Sequence, residues 1–141
     1  MDVVQFETGH LELLKVHKYM EHIQKDFGKE YRDFLAKFPA YTAMVDGKAV
    51  ACAGMVQTGV YRWQAWALIS KDSGKHMLHL TRAIKHYMKN LSTPRIETHV
   101  RADFEAGIRW IEVLGFKRET PEPMKNWGDD GYDYYLYART I

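Results

Sequence analysis

The stretch RIETHVRADFEAGIRWIEVLGF, residues 95–116, reads as a strand, a short link, a helix and a stop. Ile96, Thr98 and Val100 alternate with Glu97, His99 and Arg101, the period of a strand with two unlike faces. Asp103 stands where an N-cap is needed, and Glu105 puts negative charge in the first turn, where the helix dipole favours it. Ile108, Ile111 and Leu114, flanked by Trp110, form an apolar stripe at helical spacing. Gly115 supplies the left-handed residue that ends the helix, and Phe116 opens the next strand.

The segments upstream carry the same kinds of signal. Residues 41–45 and 49–56 are strands joined by Asp46-Gly47, the strongest hairpin signal in the chain. The second is small and apolar, which predicts cover on both faces. A third, aromatic strand spans residues 61–69. Residues 70–75 then lead into a helix that runs to about residue 90. Met77, Leu80, Thr81, Ile84, Tyr87 and Met88 share one face of it, and Lys75, His79, Arg82, Lys85, His86 and Lys89 the other. At the start of the chain, residues 2–6 predict a short strand. Apolar positions recur at helical spacing over residues 11–27, and a shorter helix over 31–38 turns Phe34, Leu35 and Phe38 inward before Pro39. Downstream, residues 117–120 start a strand, Pro121 and Pro123 break it, Gly128 to Gly131 turn, and residues 132–140 close the sheet. The expected order is β-α-α-β-β-β-α-β-α-β-β: an α/β (α+β) fold with a mixed, mostly antiparallel sheet and helices on both faces.

Composition bounds the function. The chain has 141 residues, enough for one domain with a real core, and residues 1–141 are read as that single domain. The net charge of +2 gives no electrostatic case for nucleic acid or an anionic membrane. One cysteine, Cys52, excludes an internal disulfide and fits a reducing compartment. Its place in a strand predicts a buried, inert thiol. The first ten residues include Asp2 and Glu7 and no apolar core of a signal peptide, so a cytoplasmic location is expected.

The element order, together with Val100 to Phe116, resembles the GNAT superfamily of N-acetyltransferases. That family's fifth strand and fourth helix run V-r-p-x-N-x-x-A-i-x-x-Y-e-k-x-G-F, and the stretch here aligns without a gap. The Asp46-Gly47 hairpin before a small-residue strand is similar too. The likeness is nearest to the small GNAT-like proteins of tailed phages, the group that includes an internal virion protein. It rests there on Ser73-Gly74-Lys75-His76-Met77, Thr81-Arg82-Ala83 and the Gly-Phe exit. Two positions depart from the pattern. Phe104 stands at the asparagine, and Ile111 at the tyrosine that in many members protonates the leaving thiolate.

The resemblance implies acetyl-CoA, or another acyl-CoA, as co-substrate, with no metal. Its pyrophosphate loop, R/Q-x-x-G-x-G/A, fits in two registers: Lys71, Gly74 and His76, or Ser73, His76 and Leu78. Either lacks a glycine. The cofactor-binding residues implied are Ala67, Leu68 and Ile69, whose strand edge would pair with pantetheine, and Ser73, Gly74, Lys75, His76 and Met77. A strand-to-helix loop supplies free N–H groups and a favourable dipole for an anion, although a plain turn reads the same way. Acyl transfer needs a base, and Glu97 and His99 are the catalytic candidates beside the alternative of a solvated strand face. His76, His79 and His86 lack a supporting ligand set and read as part of a solvated basic face. Tyr61, Trp63 and Trp66 read as packing. The function expected is N-acyl transfer to an amine of a small molecule or a protein, in the host cytoplasm if the protein is phage-encoded. The alternative is a catalytically inactive, virion-associated structural protein with virion proteins as partners.

Overall fold

The structure, a computed structural model, describes residues 1–26 and 28–141. Its strands are β1 (Asp2–Gln5), β2 (Ala40–Val45), β3 (Lys48–Gln57), β4 (Arg62–Ile69), β5 (Arg95–Arg101), β6 (Lys117–Arg118) and β7 (Tyr134–Thr140). They form a seven-stranded sheet in the order β1-β2-β3-β4-β5-β7-β6. The helices are α1 (Glu21–Asp26), α2 (Lys29–Ala36), α3 (Met77–Lys89) and α4 (Glu105–Val113). Element order and fold class agree with the expectation from sequence. The contacts divide into two compact units, residues 1–57 with 65–82, and residues 58–64 with 83–141.

In the first unit, β1 pairs antiparallel with β2, and β2 with β3. Asp46 and Gly47 both have positive φ, 51° and 75°, the signature of the two-residue turn whose twist matches the strands it joins. Ala49, Val50, Ala51 and Cys52 are all buried, so β3 is covered on both faces there. Phe6, Leu11, Leu14, Val16, Leu35, Cys52 and Leu68 make one core cluster.

The helix expected over residues 11–27 is not formed as one element. Two 3-10 turns, Thr8–Leu13 and Lys18–Met20, precede the short α1. Between them the chain is extended and bonds elsewhere. Lys71 N donates to Lys15 O at 2.8 Å, His17 N donates to Ile69 O at 3.0 Å, and Val16 bridges Ser70 in antiparallel fashion. The periodicity misled because Leu11 and Leu14 are both buried at the three-residue spacing of a 3-10 turn, while Val16 reaches the core from extended backbone. Phe27, the expected end of that helix, lies outside the described residues. In α2, Leu35 is buried as expected, but Phe34 is exposed and packs its ring on Tyr31 and Phe38 at the surface.

In the second unit, β4 pairs in parallel with β5 at Arg62, Trp63 and Gln64, and β5 pairs antiparallel with β7 along its whole length. Ile96, Val100, Leu114, Phe116 and Tyr137 are buried. Asp103 is not the N-cap of α4. Its carboxylate takes a bidentate pair of bonds from Arg101, Nε at 2.7 Å and Nη2 at 2.9 Å, and Phe104 occupies the cap position with no side-chain bond. A charged, two-pronged donor two residues away outcompetes a backbone amide. The C-terminus closes as expected: Gly115 has φ 101°, Phe116 N donates to Ile111 O, and Gly115 N to Glu112 O. These two bonds satisfy carbonyls the helix leaves open.

Phe104 also explains the glycine inside α4. A Cβ on Gly107 would lie 2.5 Å from the Phe104 ring. The family pattern has alanine there, so the ring of Phe104 takes the space that Phe104-x-x-Gly107 vacates. Gly107→Ala should therefore destabilise the protein by about 1–2 kcal/mol through overpacking. In a Phe104→Ala background the same change should stabilise by up to about 1 kcal/mol, the helix-propensity difference. Thermal melts of the four proteins check this sign reversal; equal effects in both backgrounds would refute the pairing.

Candidate functional site

Strand β4 ends in a loop whose amides are mostly committed. Ser70 N donates to Val50 O on β3 at 2.9 Å. Because successive groups on a strand point to opposite edges, Ile69 and Lys71 address the edge that β3 does not use. On that edge, Ile69 N donates to Met20 Sδ at 3.4 Å and Ile69 O accepts from His17 N. Lys71 N is bonded to Lys15 O, Asp72 N to Ser70 Oγ, and Ser73 N to Ser70 O.

A 3-10 turn, Gly74–His76, then leads into α3. His76 N donates to Ser73 O, and Met77 N to Gly74 O. Gly74 and Lys75 carry the first two N–H groups of the turn, which have no acceptor behind them in such geometry. Both residues are exposed. The structure thus separates the loop candidates. Ser73 is buried, with Oγ donating to Met77 Sδ, and acts in packing. The Met77 carbonyl accepts from Thr81 Oγ1 at 2.6 Å. Gly74 and Lys75 face outward and can meet an anion. Of the strand-edge trio, Leu68 and Ile69 are buried and Ala67 is half-buried.

The two catalytic candidates lie on one face of β5, and their surroundings differ. Glu97 Oε1 faces two guanidiniums, Arg62 Nε and Arg95 Nε, each at 3.5 Å, so its negative charge is engaged. Arg95 in turn makes a bidentate pair with Glu119 and holds that carboxyl below the usual range. His99 lies under Trp127, the rings stacked at 4.1 Å and 20°. Its Nδ1 is buried and has no partner among the described residues. Burial holds the imidazole below its ordinary 6.5, outweighing the upward pull of Glu97. His99 is therefore a neutral ring with an unspent nitrogen at neutral pH.

The surroundings of His99 come from the Pro-Gly segment before β7, which sequence reading treated only as a break and a turn. Tyr134 contacts Trp127 at 5.3 Å and donates its hydroxyl to Asp130 at 2.9 Å. Burial, then that bond, pushes the Tyr134 hydroxyl up, so it stays protonated. Arg101 sits 3.5 Å over the Tyr132 ring and 3.7 Å from Asp130. The lone tryptophan at 127 among Pro, Asn and Gly was the available signal. Among the described residues no His/Cys/Asp/Glu group is placed to hold a metal, and no helix is long and apolar enough to cross a membrane. The six basic side chains expected on one face of the helix, Lys75 to Lys89, are all exposed.

No protein-family model matches this chain, and no curated protein matches it. Solved structures do. An acetyltransferase of the GNAT family from Bacillus anthracis shares 17% identity at a TM-score of 0.66, covering 98% of this chain and 93% of its own. A ribosomal-protein-alanine N-acetyltransferase from Brucella melitensis shares 14% at 0.68, covering 100% of both chains. Ard1 from Thermoplasma volcanium shares 16% at 0.72, covering 99% and 97%. Likeness of this extent at such identity shows the fold: the chain has the architecture of the GNAT acetyltransferases.

The state of His99 has a direct test. Its imidazole should titrate below 6.5 by NMR, and Trp127→Ala, which opens the ring to water, should move the midpoint upward. Because the folded pKa is depressed, the unfolded chain takes up the proton first as pH falls. Stability contributed by neutral His99 is then present above 6.5 and lost as pH falls from there toward the folded value. A wild-type midpoint at or above 6.5 would refute the burial.

Proposed function

We propose that the protein is an acyl-CoA-dependent N-acyltransferase, with acetyl-CoA as co-substrate and an amine of a small molecule or a protein as acceptor. The observation that carries this reading is the turn at Gly74 and Lys75. In a loop whose other amides are spent on the protein itself, the N–H groups of Gly74 and Lys75 have no acceptor among the described residues, and with the Lys75 side chain they can meet an anion. A coenzyme diphosphate has the charge and span for that position. The neighbours of this fold are named as acetyltransferases, one of them for a ribosomal protein's alanine, which supports an amine acceptor.

In this reading the bound thioester supplies an activated acyl carbon. Gly74 and Lys75 hold the diphosphate, and the Ala67–Ile69 edge is the place for the pantetheine amides. His99 is the proposed base, since its ring is neutral at pH 7. Glu97 holds Arg62 and Arg95 in place rather than moving a proton. Ile111 carries no proton, so the departing thiolate draws its own from water. The chain acts as one catalytic domain over residues 1–141, in the cytoplasm. Kinship with the small phage-encoded GNAT-like proteins is part of this reading, on the Ser-Gly-Lys-His-Met pattern.

A second reading, a virion-associated protein that keeps the fold without catalysis, is favoured by two observations. Ile111 replaces the proton donor, and the backbone of Ile69 is already bonded.

Acetyl-CoA titration by thermal shift and calorimetry separates the two. Under the first reading the melting temperature rises with ligand, by the equivalent of about 2.7 kcal/mol at a hundredfold excess over Kd. Lys75→Glu should then weaken binding by about tenfold or more, through loss of one charge-assisted contact and gain of a repulsion. An absent shift at millimolar acetyl-CoA overturns the enzyme and leaves the second reading.

A further inference from the structure

The net charge of +2 conceals an uneven distribution. Of the chain's 20 Lys and Arg and 18 Asp and Glu, four cations and no acid fall in residues 73–94, so that segment carries +4 and the remainder −2. The four are Lys75, Arg82, Lys85 and Lys89, and all are exposed. None has a carboxylate partner among the described residues, whereas Arg32, Arg62, Arg95 and Arg101 each face one. We propose that the exposed row of α3 formed by Arg82, Lys85 and Lys89 is a docking surface for the phosphodiester backbone of duplex DNA. This inference is independent of the acyltransferase reading.

α3 is one continuous helix of 13 residues. At about 100° and 1.5 Å per residue, Arg82, Lys85 and Lys89 fall within about 60° of one another and span about 10 Å. His79 and His86 flank the row, and both are exposed. The arrangement works against the helix. Arg82 and Lys85 are three positions apart and Lys85 and Lys89 four, and like charges at those spacings repel. The macrodipole accounts only for the last turn, where His86 and Lys89 meet its negative end. It does not account for Arg82, well before that end, or for a first turn with no acid. An external anion removes the repulsion.

The composition of the row selects the partner. A folded protein docks on an apolar or aromatic centre with charge at its rim. Here three cations stand in line, and Leu78 is the only large apolar side chain that α3 exposes. A single strand is held by bases stacked on aromatic rings. α3 exposes no Phe, Tyr or Trp, and Tyr87 lies half-buried on the opposite side. An RNA duplex is told from DNA by contacts to its 2′-hydroxyls, which suit uncharged polar side chains; none stands in the row. What remains is a straight, regular polyanion met only at its phosphates, as an unbroken row of Lys and Arg meets duplex DNA. Binding of this kind is independent of base sequence.

Fluorescence anisotropy of the full-length protein with a short labelled DNA duplex of mixed sequence tests this. At low salt the wild type should bind, and log K should fall against log salt with a slope at least as steep as about −2.7, from three phosphate contacts at about −0.9 each. Arg82→Gln, Lys85→Gln and Lys89→Gln together should flatten the slope by that amount and weaken binding at least about tenfold. Gln keeps the helix propensity of Lys and Arg, so the melting temperature should not fall. A matched variant, Lys48→Gln, Lys117→Gln and Lys125→Gln, removes the same charge at exposed positions outside α3 and should lose less than about threefold, because screening confines the effect of a distant charge. No binding at low salt overturns the proposal. So does a loss in the α3 variant no greater than in the matched one, or tighter binding to polyglutamate, a single strand or an RNA duplex than to the DNA duplex.

Discussion

Ile69 has one N–H and one C=O on the edge of β4 that β3 does not reach. The residue is buried, so both groups need partners, and leaving either bare would cost about 1–3 kcal/mol. The chain meets this demand with a segment fifty residues upstream, and much of the first unit is arranged to deliver it. Val16 stays extended, two 3-10 turns replace a continuous helix, and Gln24 pins the return.

This constraint also marks where sequence reading stopped. Local signals were legible where partners lie close in the chain. The Asp46-Gly47 hairpin, the Gly115-Phe116 stop and the two faces of α3 were all read correctly from spacing alone. So was the order of strands and helices. The long helix over residues 11–27 failed because its backbone is claimed by residues 69–71, a pairing no window of the sequence contains. Asp103 failed as a cap for a local reason: Arg101 offered a charged donor two residues away. Phe34 was placed inside by periodicity but found aromatic neighbours at the surface.

At the candidate site the same division holds. Alternation along β5 put Glu97 and His99 on one face, but could not say which of them is free. That was decided by side chains from elsewhere: two arginines for Glu97 and the Trp127 ring for His99. The departures from the GNAT pattern likewise gain meaning only in three dimensions. Phe104 and Gly107 are one accommodation rather than two losses, since the ring fills the space a methyl would have taken. Ile111 has no such compensation among the described residues.

Cys52 has a use that its inertness creates. It is the single thiol of the chain, fully buried, bonded to Thr42 at 3.6 Å, and pushed up to about 11 by burial. A thiol-reactive dye cannot reach it while β3 is intact. Labelling kinetics in the untouched wild-type sequence therefore time the opening of the first unit's core, with no engineered probe.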